Sequence, residues 1–412
     1  MKRYVGVVFI SLYLITSILP GFGSIDRIGF HWLYLSVVSF FSLIFISFDE
    51  NSGNFFQEFF NMIPVKLFIV FILFCLISFF YTINIQESIL VLSRFLLLLL
   101  LLLNLYYHLK NLKHLNIVFI ILLILFVYES LLPLIKFVEI YQNVGEYNFS
   151  YANDLKTFSP NKNITAVIIA LNMGLMFYLF RFRRKIVQSI LILFILIGSI
   201  DIVLISARAS ILSIFLAFFL LIISHYYFKI KLKKTFFNFF LATFFGFVAI
   251  NIYLGQNNNV SLNNRLTTLN TEDESTNQRI RFYKHGLNHV IENPFFGVGL
   301  GNWKLKSIEY DKENIKSYVV PYHLHNDFLQ LGTEIGILGL LSYLSLFFYL
   351  IIINFLNINK NYYLSIALLI SSIVIFIDSN LNFPHHRPSV MVIFILLICL
   401  TELNKNKVFK NE

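Results

Sequence analysis

Long apolar stretches of similar length recur along the whole chain. Examples are "FLLLLLLLLNLYYHL" and "AVIIALNMGLMFYLF", and with their flanks each approaches the roughly 20 residues that a helix needs to cross the hydrocarbon core. Because backbone amides in lipid must pair within their own segment, the pattern predicts transmembrane α-helices. The predicted spans lie near 5–23, 28–48, 64–82, 87–108, 114–135, 163–181, 186–205, 209–228, 235–254, 333–356, 361–379 and 388–403. The sequence therefore predicts an all-α, polytopic transmembrane bundle of about 12 spans.

One long segment, 255–326, interrupts this apolar pattern. Its first part, "GQNNNVSLNNRLTTLNTEDEST", holds too few apolar residues to pack and is predicted to be a loop. From Thr276 onward, apolar residues recur at spacings of three and four, which predicts an amphipathic helix. Its apolar face is formed by Ile280, Tyr283, Leu287, Val290 and Ile291.

A glycine-rich stretch follows this helix. "GVGLGNW" is predicted to be a tight turn that returns the chain to the membrane surface, with Trp303 as an interfacial anchor. The chain thus divides into three predicted units. These are 1–254 with helices one to nine, 255–326 as a loop domain, and 327–412 with helices ten to twelve and a tail.

Composition and charge narrow the class of protein. Of the 412 residues, 58% are hydrophobic and 13% are charged, a balance that excludes a water-soluble fold around one core. The net charge of +10 is compatible with nucleic-acid binding. In a membrane protein, however, it is the distribution of Lys and Arg among the loops that carries the information, and we predict no nucleic-acid partner.

The N-terminal "MKRYVGVVFISLYLITSILPGFG" resembles a signal peptide, but its long apolar core favours a retained first helix. Cys75 and Cys399 lie inside apolar runs, which argues against disulfides and a cysteine metal site.

Basic residues concentrate in alternate loops, such as "RFRRK" and "KIKLKK". The positive-inside rule then puts both termini in the cytoplasm and the long loop on the outer face. Ionisable residues within or beside the spans lie mostly toward this outer side. They are Glu87, Arg94, Glu129, Asp201, Arg208, Asp378, His385, His386 and Arg387. An ion pathway would spread polar groups through the membrane, so this distribution predicts a polar cavity that opens outward.

Three arginines are candidates for binding an anion in that cavity. Arg208, in "LISARASIL", either lies at the lipid headgroups or binds phosphate oxygens with its two parallel N–H donors. Arg279 and Arg281 lie in the first turns of the amphipathic helix, where the helix dipole favours an anion. The alternative is that both only form a solvated helix face.

The polar turn "PYHLHNDFLQ" supplies the candidate for chemistry. His325 can accept a proton from a hydroxyl or hold a diphosphate by charge, and the alternative is a helix cap or a headgroup contact. Asn326, Asp327 and Gln330 can contact sugar hydroxyls, although they can also satisfy backbone donors at the start of the span. The further predicted substrate contacts are Arg94, His323 and Arg387.

These residues lie in motifs that resemble the O-antigen ligase and Wzy-type polymerase superfamily of bacterial envelope enzymes. "STNQRIRFYKHGLNHVIENPFFGVGLGNW" resembles the outer-loop signature of the family, and "HLHNDFLQLGTEIGILGLL" is similar to its histidine motif. "LISARASIL" occupies the place of the Ser-Arg motif, with Ala207 inserted, and "NFPHHRP" resembles the Asn-Phe-Pro segment. The resemblance covers about 160–400 and implies a GT-C-like glycosyltransferase fold.

The resemblance also implies a function. Arg208, Arg279 and His325 correspond by motif position to the residues that the family uses for diphosphate binding and catalysis. The implied donor is a glycan on undecaprenyl diphosphate, displayed at the periplasmic face of the bacterial inner membrane, and no cofactor or metal is expected. The acceptor is a lipid A core sugar in a ligase and another lipid-linked repeat in a polymerase, and we favour the ligase. The rival classes are a lipid-linked glycan transporter, which predicts two related halves with mid-membrane charges, and a non-enzymatic sensor.

Overall fold

A computed structural model describes residues 2–50, 52–256, 274–315 and 322–406. Within these residues the chain is helical, with short 3₁₀ turns and connecting loops. The helices are α1 (Lys2–Leu14), α2 (Arg27–Ser47), α3 (Ser52–Asn61), α4 (Ile63–Ile77), α5 (Ile85–Lys110), α6 (Asn116–Val144), α7 (Lys162–Met176), α8 (Lys185–Leu204), α9 (Arg208–Tyr227), α10 (Lys234–Gln256), α11 (Glu274–Glu292), α12 (Trp303–Asp311), α13 (Asp327–Leu356), α14 (Tyr362–Leu381) and α15 (Pro388–Lys405).

Eleven helices in the described part of the chain are long and apolar enough to cross a membrane, and the apolar helix at Tyr4–Ser17 is shorter. The prediction of a polytopic, all-α membrane protein is confirmed. One predicted span was too short, because α6 continues past Pro133 to Val144 and ends at Gly145 with φ 81°. A predicted loop also contains a helix, α3, whose Phe55 and Phe59 are buried.

Three helices form the centre of the bundle. The apolar windows of α7 and α15 are 94% buried and that of α14 is 78% buried, whereas the remaining spans are at most 56% buried. Close approach is possible because small residues lie at the crossing of α7 and α14. There Gly174 faces Ser371, whose hydroxyl donates to the Leu171 carbonyl at 2.9 Å.

Contacts at one end of the bundle define the relative direction of three helices. The Phe228 ring, just after α9, lies 5.3 Å from the Phe355 ring near the end of α13. The Lys233 N–H donates at 2.8 Å to the hydroxyl of Tyr362, the first residue of α14. The other ends of these helices, at Arg208, Asp327 and Leu381, therefore point to the opposite end of the bundle, which we call the His325 end.

Two helices outside the spans, α11 and α12, cover the His325 end. The side of α11 that packs differs from the predicted apolar face, because Gly286 and His289 are buried whereas Ile280, Leu287 and Ile291 are 48%, 52% and 68% exposed. An added Cβ at Gly286 would come within 2.7 Å of Leu324 and 3.1 Å of Leu329, so α11 lies directly on the chain around His325.

The glycine-rich segment inserts into a break in helix α13, and its predicted return to the membrane surface stays a prediction. Helix α13 is broken at Gly336, with φ 77°, and the Ile337 N–H donates to the Pro294 carbonyl at 2.8 Å. The Thr333 and Glu334 carbonyls accept instead from Val298 at 3.0 Å and Gly299 at 2.9 Å. The inserted segment thus satisfies the backbone groups that the break leaves open, as an apolar interior requires.

This insertion also explains the position of Trp303. A Cβ at Gly299 would overlap the Thr82 backbone, so only glycine permits this approach. The next turn places Trp303 at 1% exposure, with its ring 6.0 Å from the rings of both His289 and Tyr310. Trp303 is therefore buried in the layer formed by α11 and α12, which we call the outer layer. It is not the interfacial anchor that the sequence predicted.

Candidate active site at the His325 end

The turn that carries His325 has an unusual backbone. His325 is half-buried and adopts φ 56°, in the left-handed region that residues with a Cβ rarely occupy. Its carbonyl accepts from the Tyr283 hydroxyl at 2.9 Å. The Leu324 N–H on one side donates to Gln330 Oε1 at 3.3 Å, and the Asn326 side chain on the other caps α13 by accepting from Leu329 N at 2.9 Å. The turn is therefore held on both sides of His325.

Two arginines act on the His325 imidazole. Arg279 extends from α11, and its Nη1 donates to the Leu381 carbonyl at the end of α14 at 3.3 Å. Arg387, 2% exposed, lies with its guanidinium carbon 4.4 Å from the centre of the Phe383 ring. Burial, and then the positive charges of Arg279 and Arg387, lower the pKa of His325 to about 4. At neutral pH the imidazole is thus uncharged and able to accept a proton.

The Phe383 ring joins several of these groups. It stacks on His323 with ring centres 4.3 Å apart and meets His325 edge-on at 5.0 Å. His323 also lies 4.3 Å from the ring of His386, and burial followed by the neighbouring histidines lowers the pKa of His323 to about 3. His323, His325 and Arg387 are therefore brought together around one aromatic ring, and Arg279 is close enough to His325 to lower its pKa.

Arg94 reaches the same histidine group from α5. Its Nη1 lies 3.3 Å from His386 Nδ1, and its guanidinium carbon lies 5.9 Å from the centre of the Trp32 ring. His386 in turn contacts the His385 ring, with centres 3.9 Å apart. Arg94 thus borders the site through His386.

Three of the predicted substrate contacts are engaged within the protein. The Asp327 carboxylate is fully buried, pairs with His385 Nδ1 and accepts from the His385 backbone N–H at 3.1 Å. Gln330 donates to Glu334 Oε1 at 3.1 Å, in addition to accepting from Leu324. With Asn326 acting as the cap of α13, these side chains shape the His325 turn, and their predicted contact with substrate stays a prediction.

The other two predicted arginines are Arg281 and Arg208. Arg281 donates to both carboxylate oxygens of Asp311, at 2.7 and 3.2 Å, and so ties α11 to α12. Arg208 is half-buried, begins α9 and follows Ser206, whose φ is 58°. It shares the His325 end of the bundle, and its role and that of Arg281 in binding remain predictions.

Several buried polar atoms at this end have no hydrogen-bond partner among the described residues. They include His325 Nδ1, His385 Nε2, Arg387 Nη1 and Asp378 Oδ2. Buried polar atoms are normally satisfied, so such a group is a candidate for contact with a bound polar molecule. The guanidinium nitrogen can donate to an anion, and the two imidazole nitrogens can exchange hydrogen bonds with a hydroxyl.

Sequence reasoning missed three contributors to this arrangement. The sequence places Tyr283 only on an apolar helix face, His385 only among the ionisable residues of the outer side, and Glu334 only within the histidine motif. Glu334 accepts from the Gly301 N–H at 2.7 Å and from Gln330, and so connects the inserted glycine segment to the His325 turn. The one available signal was the presence of ionisable residues inside predicted spans.

Residues 192–344 match the protein-family model described as O-Antigen ligase. The match runs from α8 to the middle of α13 and contains Arg208, Arg279 and His325. This match over 192–344 supports the O-antigen ligase and Wzy superfamily. The matched residues include the His325 turn, α11 and the inserted glycine segment. Among curated proteins no match is found.

The match confirms the predicted resemblance and indicates a broad class of activity. It implies glycan transfer of the O-antigen ligase or polymerase type by a multi-pass membrane protein. This favours an enzyme over the transporter and sensor alternatives.

Proposed function

We propose that the protein transfers a glycan from undecaprenyl diphosphate to an acceptor hydroxyl at the His325 end, and that this end faces the periplasm. The observation that carries the proposal is the half-buried His325 imidazole, which meets the same Phe383 ring as Arg387 and has its pKa lowered by burial and by the charges of Arg279 and Arg387. Such a site combines a proton acceptor with positive charge that can stabilise a negatively charged leaving group.

The transfer step forms a bond between the acceptor oxygen and the anomeric carbon of the donor sugar. The bond from that carbon to the diphosphate breaks, and undecaprenyl diphosphate leaves with the bonding electron pair. His325 takes the proton of the acceptor hydroxyl. Arg279 stabilises the negative charge on the leaving diphosphate, and Arg208 and Arg387 are the further arginines that we assign to it.

Energy for this reaction is already present in the donor. The anomeric carbon is activated by its diphosphate, so a nucleotide sugar is not needed at the periplasmic face. Guanidinium groups supply the charge that a divalent ion brings in other glycosyl transfers, and we therefore propose a metal-independent reaction.

We favour the ligase, in which the acceptor is a lipid A core sugar. A Wzy-type polymerase would use a second lipid-linked repeat instead. Complementation separates the two, because the gene is introduced into bacteria lacking a ligase and into bacteria lacking a polymerase. Glycan on lipid A core supports the ligase, whereas longer lipid-linked chains support the polymerase.

The chemical role is tested with His325→Ala. We expect transfer to fall by at least about 100-fold, the usual effect of removing a general base. Transfer at the wild-type rate by a variant that is present in the membrane in normal amount would remove His325 from the reaction.

A further inference from the structure

The backbone conformation of His325 needs an external restraint. A left-handed conformation costs a residue with a Cβ roughly 1–2 kcal/mol, and it persists where surrounding contacts hold it. His325, at φ 56°, is one of four non-glycine residues with positive φ in the described part of the chain, the others being Phe22, Ser206 and Lys229. Of the four, only His325 lies in the candidate active site.

The Tyr283 hydroxyl supplies such a restraint. It lies 2.9 Å from the His325 carbonyl oxygen and 3.2 Å from the carbonyl oxygen of Asn380. A tyrosine hydroxyl has one proton, so it is shared between these two acceptors, with the shorter bond to His325. Tyr283 therefore links the His325 turn to the end of α14.

Arg279 uses the same part of α14. It lies four residues before Tyr283 on α11, so the two side chains project from one helix face, one turn apart. Arg279 donates to the Leu381 carbonyl at 3.3 Å, and Tyr283 contacts the preceding carbonyl. One face of α11 thus positions both the Arg279 side chain, the candidate for binding the diphosphate, and the His325 backbone.

The packing of α11 leaves little freedom for this arrangement. Gly286, one turn beyond Tyr283, faces the side chains of Leu324 and Leu329. A Cβ added at Gly286 would lie only 2.7 Å from Leu324 and 3.1 Å from Leu329. Displacement of α11 away from the turn would break the Tyr283 hydrogen bond and move Arg279 at the same time.

We propose that Tyr283 is a positioning residue for His325, whose hydroxyl holds the left-handed backbone so that the imidazole stays in register with Arg279. This inference rests on the proposed function, because it assigns Tyr283 a part in the same transfer step. Tyr283 itself does not touch the reacting atoms in this mechanism.

The test replaces the hydroxyl alone, with Tyr283→Phe. Tyr310→Phe is the matched control, because its hydroxyl also lies in the outer layer and bonds Glu292 at 3.0 Å and His289 at 3.2 Å. Each variant is purified in lipid nanodiscs and assayed with undecaprenyl-diphosphate-linked glycan isolated from the source cells. Release of undecaprenyl diphosphate is measured at varied donor concentration.

We expect Tyr283→Phe to lower kcat about 3- to 10-fold, which corresponds to the loss of one hydrogen bond. KM for the donor should stay within about twofold, because the arginines that bind the diphosphate remain. Tyr310→Phe should keep both constants within about twofold of wild type.

A pH comparison provides a readout that does not depend on the amount of folded protein. A loosened turn admits water to His325, so the pKa of the imidazole moves from about 4 toward 6.5. The ratio of the rate at pH 5.5 to the rate at pH 8 should then fall severalfold in Tyr283→Phe and remain unchanged in Tyr310→Phe. The two rates come from one preparation, so partial misfolding cancels.

A double-mutant cycle identifies the route of the effect. In a His325→Gln background, Tyr283→Phe should cause no further loss, since it acts through the residue already replaced. An undiminished loss in that background, or wild-type kcat and pH ratio in Tyr283→Phe, would overturn the positioning role while leaving the proposed function intact. Wild-type transfer by His325→Ala would instead defeat the proposed function itself.

Discussion

The buried pair of Asp327 and His385 allows a quantitative test of how the site is held together. The Asp327 carboxylate accepts from both the ring and the backbone N–H of His385, and Arg387 nearby is almost fully buried. In Asp327→Asn one oxygen becomes an NH₂ group, so one of the two donors of His385 faces another donor. An unsatisfied buried donor costs about 1–3 kcal/mol.

Because both the His385 donor and the new NH₂ group lack an acceptor, we expect the upper end of this range. The free energy of unfolding should fall by about 3 kcal/mol, a change of about 150-fold in the ratio of folded to unfolded protein. Equilibrium unfolding in mixed micelles with increasing SDS measures this difference. The two tryptophans, Trp32 at 6% exposure and Trp303 at 1%, report the transition through their fluorescence.

Asp26→Asn is the matched control for this experiment. Asp26 is exposed and caps α2 by accepting from the Gly29 N–H at 2.9 Å, a role that asparagine fills equally well. The control should therefore lie within about 0.5 kcal/mol of wild type. Equal stability of Asp327→Asn and Asp26→Asn would refute the reasoning, because the buried pair would then contribute nothing beyond an exposed cap.

Three further predictions separate framework from chemistry. Glu334→Gln should lower the free energy of unfolding by about 1–3 kcal/mol in the same titration, because an amide cannot accept from both Gly301 and Gln330; an unchanged midpoint would contradict this. Arg281→Met should lower the free energy of unfolding, because it removes the pair with Asp311. Arg279→Met should lower kcat/KM by at least about 100-fold without a comparable loss of stability, and the reverse result would exchange the roles of Arg279 and Arg281. Since burial and two arginines lower the pKa of His325 to about 4, its base form persists as pH falls from 8 to 5, and kcat/KM of the free enzyme should decline only near pH 4; a half-maximal value near pH 6.5 would show an ordinary, solvated histidine.

Much of the architecture was predictable because one physical requirement governs it. A helix that crosses lipid must be apolar over about 20 residues, and this length is visible in sequence without knowledge of any neighbour. The same reasoning marked Arg94, Arg387 and the histidine pair, since ionisable groups beside a span need a partner. The start of α13 at Asp327 was predicted six residues late, because the polar turn continues directly into the helix.

The errors share a physical cause in α11 and the glycine-rich segment. Periodicity identified Ile280, Leu287 and Ile291 as apolar, but in a membrane protein an apolar face can meet either lipid or protein, and the structure leaves these three exposed. The glycines in "GVGLGNW" were compatible with a surface turn. Only the break at Gly336 in α13, whose open carbonyls accept from Val298 and Gly299, explains why the segment inserts into this helix.

The sequence by itself determined the class of the protein, the positions of its spans and the motifs that contain Arg208, Arg279 and His325, because these depend on local composition and order. The tertiary structure alone decided which side chains meet. Asp327 and His385 are 58 residues apart, and Tyr283 reaches a carbonyl 42 residues away. Such contacts depend on how separate helices pack, and a hydrogen bond between two distant residues has no periodicity along the chain that a sequence could reveal.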